Sequence, residues 1–336
     1  MTNHHAYVVR DGALALVERP APALQPHEVA VRVRATSLNY RDLMVLRGNY
    51  ARGAASNVVP LSDGAGEVVE VGSAVTQFAV GDRVAGTFMQ KWTSGPIEPH
   101  HGASALGGAI DGMLAERVVL AESGLVRIPD YLSYEQAATL PCAAVTAWNG
   151  LFETGSLKPG QTVLVQGTGG VSIAALQLAR AAGARVVVTS SSDAKLERAR
   201  TLGAAGTINY KTTPEWSRAA RELTGGLGVD HIVEVGGAGT FDESLSAIRL
   251  GGTISYIGVL TGAASQIKTQ KLLLTSAHVN GIFVGSRSMF EALCQALEVS
   301  RVVPVVDRVF SFSEAPEAYK YFESQAHFGK VVITVE

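Results

Sequence analysis

The chain has 336 residues, long enough for two domains and a sizeable buried core. Its 28 Lys and Arg against 30 Asp and Glu leave a formal net charge of −2, so no basic excess favours nucleic acid or anionic lipid. Mean hydropathy is +0.19, but the apolar runs are short and broken by glycine, which argues against a membrane span; the start, Met1-Thr-Asn-His-His-Ala-Tyr7, lacks a signal-peptide pattern, so a cytoplasmic location is expected.

In chain order, residues up to about Arg127 carry short β-rich runs such as Glu28–Arg34 and Gly66–Gly72, punctuated by Gly, Pro and Asp, which predict a small barrel-like domain. The stretch Gln90–Asp111, rich in Gly, Pro, Ser and His, reads as a long surface loop. From about Tyr131 helical segments alternate with six β-rich segments at 162–166, 185–190, 206–210, 231–235, 252–257 and 279–284. That alternation predicts an α/β fold with a doubly wound parallel sheet. One amphipathic helix after Arg287 and a final strand, 330–335, return to the first domain. The predicted division is therefore 1–128, 129–287 and 288–336. Two cysteines, Cys142 and Cys294, suggest neither a disulfide framework nor a CxxC metal site. His4 and His5 read as part of a loose terminus.

The most informative run is Val163-Leu-Val-Gln-Gly-Thr-Gly-Gly-Val-Ser172, a buried strand, a glycine turn and a helix start. A dinucleotide pyrophosphate needs that order, because backbone amides at a helix N-terminus must reach its oxygens. Gly167 permits the tight turn, Gly169 and Gly170 remove Cβ atoms from the approach to phosphate, Val171 follows them into the helix, and Ser172 replaces the usual third glycine. In NAD-selective sites an acidic residue ends the next strand. Here Ser190 holds that place, followed by Ser191, Ser192 and Lys195. A carboxylate about 4 Å from a 2′-phosphate would cost roughly 4 kcal/mol at an effective dielectric of 20. Hydroxyls and a lysine remove that repulsion, so NADP(H) is expected; the competing reading is that Thr189–Asp193 simply caps the next helix.

The chain resembles the medium-chain dehydrogenase/reductase superfamily, in its zinc-free quinone oxidoreductase-like branch. The resemblance rests on Ala35-Thr-Ser-Leu-Asn-Tyr-Arg-Asp42, Leu61-Ser-Asp-Gly-Ala-Gly-Glu-Val68, Val80-Gly-Asp-Arg-Val84, Ala137-Ala-Thr-Leu-Pro-Cys-Ala143, the glycine turn and Phe328-Gly-Lys-Val-Val332. It implies a GroES-like β-barrel catalytic domain and a Rossmann domain, with nicotinamide and substrate held between them. In zinc alcohol dehydrogenases of this superfamily the first ligand positions are a cysteine and a histidine, the latter followed by a glutamate. Here they are Asn39, Ser62 and Asp63, with Cys142 at the third ligand's place, so no metal is expected. A zinc-free site suits a conjugated acceptor, an enone, enal, enoyl thioester or quinone, whose charge one donor can stabilise.

The resemblance makes Tyr50 the first candidate proton donor, since its segment is similar in register to enoyl thioester reductases, and Tyr40 the second. The competing readings are a loop aromatic beside Gly48 for Tyr50 and a core residue for Tyr40. Asn39 is expected to hold the nicotinamide ribose or carboxamide, and Asp42 to brace the helix that follows, paired with Arg41. By position, Thr146 is expected near the nicotinamide, and Tyr210 with Lys211 near the adenine or 2′-phosphate. Gly236, Val259, Phe283 and Val284 are expected at ligand-bearing strand ends, where core packing is the alternative for the apolar ones. Lys330 resembles a family lysine beside the cofactor, against the ordinary reading of a solvated lysine. The apolar segment Gly281–Gly285 is expected at the sheet edge, as a homodimer contact. The leading expectation is an NADPH-dependent reductase of a small-molecule acceptor. A reversible alcohol/aldehyde dehydrogenase and a non-catalytic, crystallin-like NADPH-binding protein are the alternatives.

Overall fold

The computed structural model describes residues 3–50, 53–258, 260–262 and 269–335. Val259 lies outside the described residues. The chain divides into two compact units, residues 1–145 with 285–336 and residues 146–284.

The first unit begins with an antiparallel hairpin, β1 (Asn3–Arg10) and β2 (Ala13–Pro20). β3 (Glu28–Ser37), α1 (Tyr40–Leu46), β4 (Asp63–Val71), β5 (Arg83–Gly86), β6 (Arg117–Ala121), β7 (Leu125–Arg127) and α2 (Tyr134–Ala137) follow. β3 pairs with β4 and β6, and all but three of its ten residues are buried, so it reads as an apolar run rather than an alternating one. β4 approaches β3 closely: a Cβ at Gly66 would lie 2.1 Å from the Arg32 carbonyl oxygen, which only glycine avoids.

After α3 (Val145–Trp148), the second unit alternates β8 (Thr162–Gln166), α4 (Gly170–Ala181), β9 (Arg185–Ser190), α5 (Asp193–Thr201), β10 (Gly206–Asn209), α6 (Trp216–Glu222) and β11 (Val229–Glu234). It continues with α7 (Phe241–Ala247), β12 (Ile248–Tyr256), α8 (Thr269–Thr275) and β13 (His278–Gly281). The strand order is β10-β9-β8-β11-β12-β13 with every pair parallel, the doubly wound arrangement that the alternation predicts. All five residues of β8 are buried, as expected for a central strand with both faces covered.

The chain then returns to the first unit as α9 (Arg287–Ser300), β14 (Val306–Ser311), α10 (Ala315–Glu323) and β15 (Lys330–Thr334). β15 lies between β14 and β3, so the last strand is interior to the sheet. Its residues Val331 and Ile333 join Val31, Val33, Leu61 and Leu114 in the unit's core.

Four sequence expectations change. His4 and His5 are not a loose terminus: both lie in β1 paired with β2, His4 is buried, and the His5 N–H donates to the Glu116 carboxylate. Residues 129–145 belong to the first unit: Ala137, Ala138 and Leu140 are buried, the Ala138 carbonyl accepts from the Ser37 hydroxyl, and Arg83 donates to the carbonyls of Asp130 and Leu132. Their helical character suggested the other unit, but long-range bonds decide the matter. The stretch Gln90–Asp111 is not simply a surface loop, because Trp92 stacks on His101 and both are buried, as are Ser104–Leu106. The edge strand β13 ends at Gly281, and Ile282 and Val284 are buried within the chain rather than offered at the edge.

Candidate active site

In the second unit, β8 delivers the chain to Gly167, whose φ of +71° is the left-handed conformation that favours glycine. A Cβ at Gly167 or Gly169 would meet nothing within 4 Å, so both face open space. Gly169 caps α4 and leads directly into Gly170 and Val171, so the cap supplies no side-chain hydrogen bond to the amides of the helix's first turn. The Ser172 hydroxyl donates to the Gln166 carbonyl oxygen at 2.6 Å, closing strand onto helix where a third glycine is usual. This is an anion cradle of the dinucleotide type.

At the end of β9, Ser190 is buried and its hydroxyl accepts from the Ser192 N–H at 3.3 Å, while Ser191 and Lys195 are half-buried. Ser192 caps α5 by accepting from the Lys195 N–H, so the capping role is present at that residue. Asp193, at the start of α5, accepts from the Asn209 amide at 2.7 Å. The Tyr210 N–H donates to the Ser190 carbonyl, which brings the exposed Tyr210 and Lys211 to the same strand end.

Gly236 follows β11, and its N–H donates to both Gln166 Oε1 and Glu234 Oε1. Sequence reasoning missed Glu234, a fully buried carboxylate that accepts from the Gln166 amide at 2.6 Å, the Thr240 hydroxyl at 2.6 Å, the Gly237 N–H at 2.9 Å and the Ser244 hydroxyl. A charged residue in the otherwise apolar run before Gly236-Gly237 was its signal. It ties the end of β8 to the turn after β11. Thr146 is buried within the helical run after Val145 rather than at its cap. Phe283 is half-buried, and the buried Val284 has a φ of +56°, strained for a β-branched residue, with its carbonyl accepting from the Asn149 amide.

The first unit gathers Asn39, Asp42, Asp63 and Lys330. Lys330 is not solvated: it is 4 % exposed, and its ammonium donates to the Leu38 carbonyl at 2.7 Å, Asn39 Oδ1 at 2.7 Å and Asp63 Oδ2 at 3.2 Å. Asp63, fully buried, also accepts from the Ser62 hydroxyl at 2.9 Å. The Leu61 backbone just before this pair holds a φ of +69°. Asn39 caps α1, where its N–H donates to Asp42 Oδ2 at 2.8 Å, and its own side-chain nitrogen is buried without a hydrogen-bond partner. Leaving such a donor unpaired costs about 1–3 kcal/mol.

Asp42 is fully buried, and burial pushes its carboxyl up to about 6 against the pull of the neighbouring Arg41. Arg41 Nε lies 3.3 Å from Asp42 Oδ1, and Arg41 also donates to the Leu106 carbonyl at 2.6 Å. The guanidinium faces the rings of Phe88 at 4.7 Å and Tyr50 at 5.6 Å. Tyr50, half-buried, is thus set on Arg41 and beside Gly108 rather than packed on Gly48. Tyr40 packs against the unit's hydrophobic core, the core role foreseen as its alternative. Tyr319 was missed: it is buried on α10, and burial with the Asp42 charge raises its hydroxyl well above the ordinary tyrosine range.

A model of the alcohol dehydrogenase GroES-like domain matches residues 25–130, and one of the zinc-binding dehydrogenase matches residues 170–298. A zinc-type alcohol dehydrogenase-like protein of Schizosaccharomyces pombe is 47% identical, over 93% of this chain and 92% of its own length. A quinone oxidoreductase of Pseudomonas aeruginosa is 32% identical, over 92% and 91%, and an acryloyl-coenzyme A reductase of Metallosphaera sedula 31%, over 95% and 95%. A crystal structure from Sinorhizobium meliloti 1021, provisionally designated an alcohol dehydrogenase, superposes with a TM-score of 0.93 at 43% identity, covering 99% of both chains. A 2-octenoyl-CoA carboxylase reductase in complex with NADP and 2-octenoyl-CoA gives 0.87 at 26% identity, covering 99% and 87%.

Glycine cradle, doubly wound sheet and GroES-like unit together define an oxidoreductase of the nicotinamide-dependent class. The chain belongs to the medium-chain dehydrogenase/reductase superfamily.

The family name raises the question of zinc, and the donors here fit it poorly. Among the described residues no group of three or more His, Cys, Asp or Glu is placed to hold a metal ion. Asn39 and Ser62 offer neutral amide and hydroxyl oxygens, and Asp63 already pairs with an ammonium that would repel a second cation. Burial and the Asp63 charge push the Cys142 thiol far up, away from the thiolate that zinc requires.

Proposed function

We propose that this chain is a zinc-independent, NADPH-dependent reductase of an activated double bond or quinone. The observation that carries the reading is Lys330: its ammonium is bonded to Leu38, Asn39 and Asp63, so the first metal-ligand position, Asn39, and the carboxylate beside the second already hold a cation. With no Lewis acid to polarise a saturated carbonyl, the acceptor must be activated by its own conjugation. The acryloyl-coenzyme A reductase, the quinone oxidoreductase and the NADP-bound octenoyl-CoA enzyme, each so named, support that acceptor class and cofactor.

When bound, the nicotinamide supplies the hydride. The open face of Gly167 and Gly169 and the amides of α4 receive the pyrophosphate. Ser190 and Ser191, with Lys195 and Lys211, receive the 2′-phosphate, where a carboxylate would repel it. Tyr50, its ring held by Arg41, donates the proton from its hydroxyl to the acceptor. A second copy pairs along edge strand β13, next to the exposed Leu273 and Leu274 of α8. Among the described residues no helix is long and apolar enough to cross a membrane.

The test is the initial rate of NADPH consumption by chelator-treated enzyme with a quinone, a 2-enal, an enoyl thioester and a saturated aldehyde, with NADH in parallel. Turnover of conjugated acceptors with NADPH preferred supports the reading. Turnover of the saturated aldehyde alone makes the protein an alcohol dehydrogenase, as the names of its S. pombe and S. meliloti relatives suggest. Binding of NADPH without turnover of any acceptor leaves a non-catalytic binder.

A further inference from the structure

The Lys330 ammonium carries three N–H bonds and has three oxygen acceptors, Leu38 O, Asn39 Oδ1 and Asp63 Oδ2. Its donors are fully committed inside the unit, so direct contact with a ligand would require one of these bonds to break. An ammonium donates and cannot accept, so Asn39 must turn its oxygen toward Lys330 and its nitrogen away. The Asn39 backbone is fixed as well, by its N–H bond to Asp42 and its place at the start of α1. What remains is an amide donor on a residue only 9 % exposed, aimed away from the ion pair and without an acceptor. Buried donors of native proteins are nearly always paired, so this one calls for a ligand.

We propose that Lys330 is a positioning residue, an internal cation that sets the Asn39 amide so that Nδ2 donates to an oxygen of a bound ligand. The oxygen belongs to the nicotinamide cofactor, as a ribose hydroxyl or carboxamide carbonyl, or to the hydride acceptor, as its conjugated carbonyl. Asp63 balances the ammonium's charge and so permits a lysine at this depth. The proposal rests on the reductase reading only for its acceptor arm.

Three variants test it. Asn39→Asp keeps an oxygen for Lys330 but replaces the donor by an acceptor. The paired change Lys330→Met with Asp63→Asn removes the cation without leaving a buried charge unpaired, and the triple variant adds Asn39→Ala to that pair, which removes the donor without introducing a charge. Fluorescence titration gives the Kd of NADPH, steady-state rates give kcat and KM with an acceptor that the wild type turns over, and thermal melts verify folding. The loss of one hydrogen bond is expected to change one parameter by about tenfold in Asn39→Asp and in the pair, with the triple variant little worse than either. A raised Kd with kcat intact assigns the oxygen to the cofactor, and a lowered kcat with Kd intact assigns it to the acceptor. Unchanged Kd and kcat in folded Asn39→Asp would overturn the proposal. So would a paired variant as active and as tight-binding as wild type, or effects that multiply in the triple variant. A wild type inert toward every acceptor would instead defeat the reductase reading and leave the Kd arm to decide this one.

Discussion

Asp42→Asn isolates the cost of burying one charge. The Asp42 carboxyl stands at about 6 in the folded chain against an ordinary 3.8, chiefly because burial disfavours its charged form. Between those values the folded state holds a proton that the unfolded state has released. The group's contribution to stability is therefore full below 3.8, falls as pH rises through the interval, and is flat above about 6. The gap between 3.8 and about 6, at about 1.36 kcal/mol per pH unit, amounts to about 3 kcal/mol. Asparagine has no charge to bury and retains an oxygen for the Asn39 N–H. Its loss of the Arg41 partner shifts the whole profile, but not its slope. Urea unfolding of wild type and variant at pH 4, 5, 6 and 7 should show the variant gaining about 2 kcal/mol on the wild type across the series, the rest of the difference having developed below pH 4. Two profiles that run parallel from pH 4 to 7 would refute the argument.

Tyr50→Phe should lower kcat with a conjugated acceptor by roughly 10²-fold or more while the Kd of NADPH stays within about twofold; unaltered turnover removes Tyr50 from the chemistry. Ser190→Asp should weaken NADPH relative to NADH by about tenfold or more in paired binding titrations, through repulsion of the 2′-phosphate. An unchanged ratio would place recognition of that phosphate elsewhere. Glu234→Gln sets an amide donor against the N–H groups of Gly236 and Gly237 and the Gln166 amide, and should cost about 2–4 kcal/mol in denaturant unfolding. A loss below about 0.5 kcal/mol would show that the turn after β11 does not depend on the carboxylate.

The parallel sheet was legible because its signal is local. β8 and β9 are short runs of buried residues and the glycine turn sits in the sequence between them, so one window of about 30 residues held the whole βαβ unit. Composition misled at Gln90–Asp111, where polar and glycine-rich residues surround buried Trp92 and His101. It misled again at Gly281–Gly285, whose apolar residues turn inward once β13 has ended. The site in the first unit was legible only residue by residue. Asn39, Asp63 and Lys330 could each be singled out, but not their meeting, because Lys330 and Asp63 are 267 positions apart and no periodicity spans that distance. Tyr319 carries no motif and is set apart only by its burial, whereas the single hint of Glu234 was its charge before Gly236, not the five hydrogen bonds that its folded place supplies.

The interior position of β15 also sets an order of events during synthesis. Asp63 and β3 leave the ribosome early, whereas the strand that completes their sheet and brings the compensating ammonium follows 267 residues later. At roughly 5–20 residues per second that is a wait of about 13–50 seconds. Through that interval the nascent first unit has an open sheet edge and a carboxylate without its lysine, while residues 146–284, contiguous in sequence, can fold as they emerge. Emergence of β15 is thus the step that closes the sheet and neutralises the buried acid together.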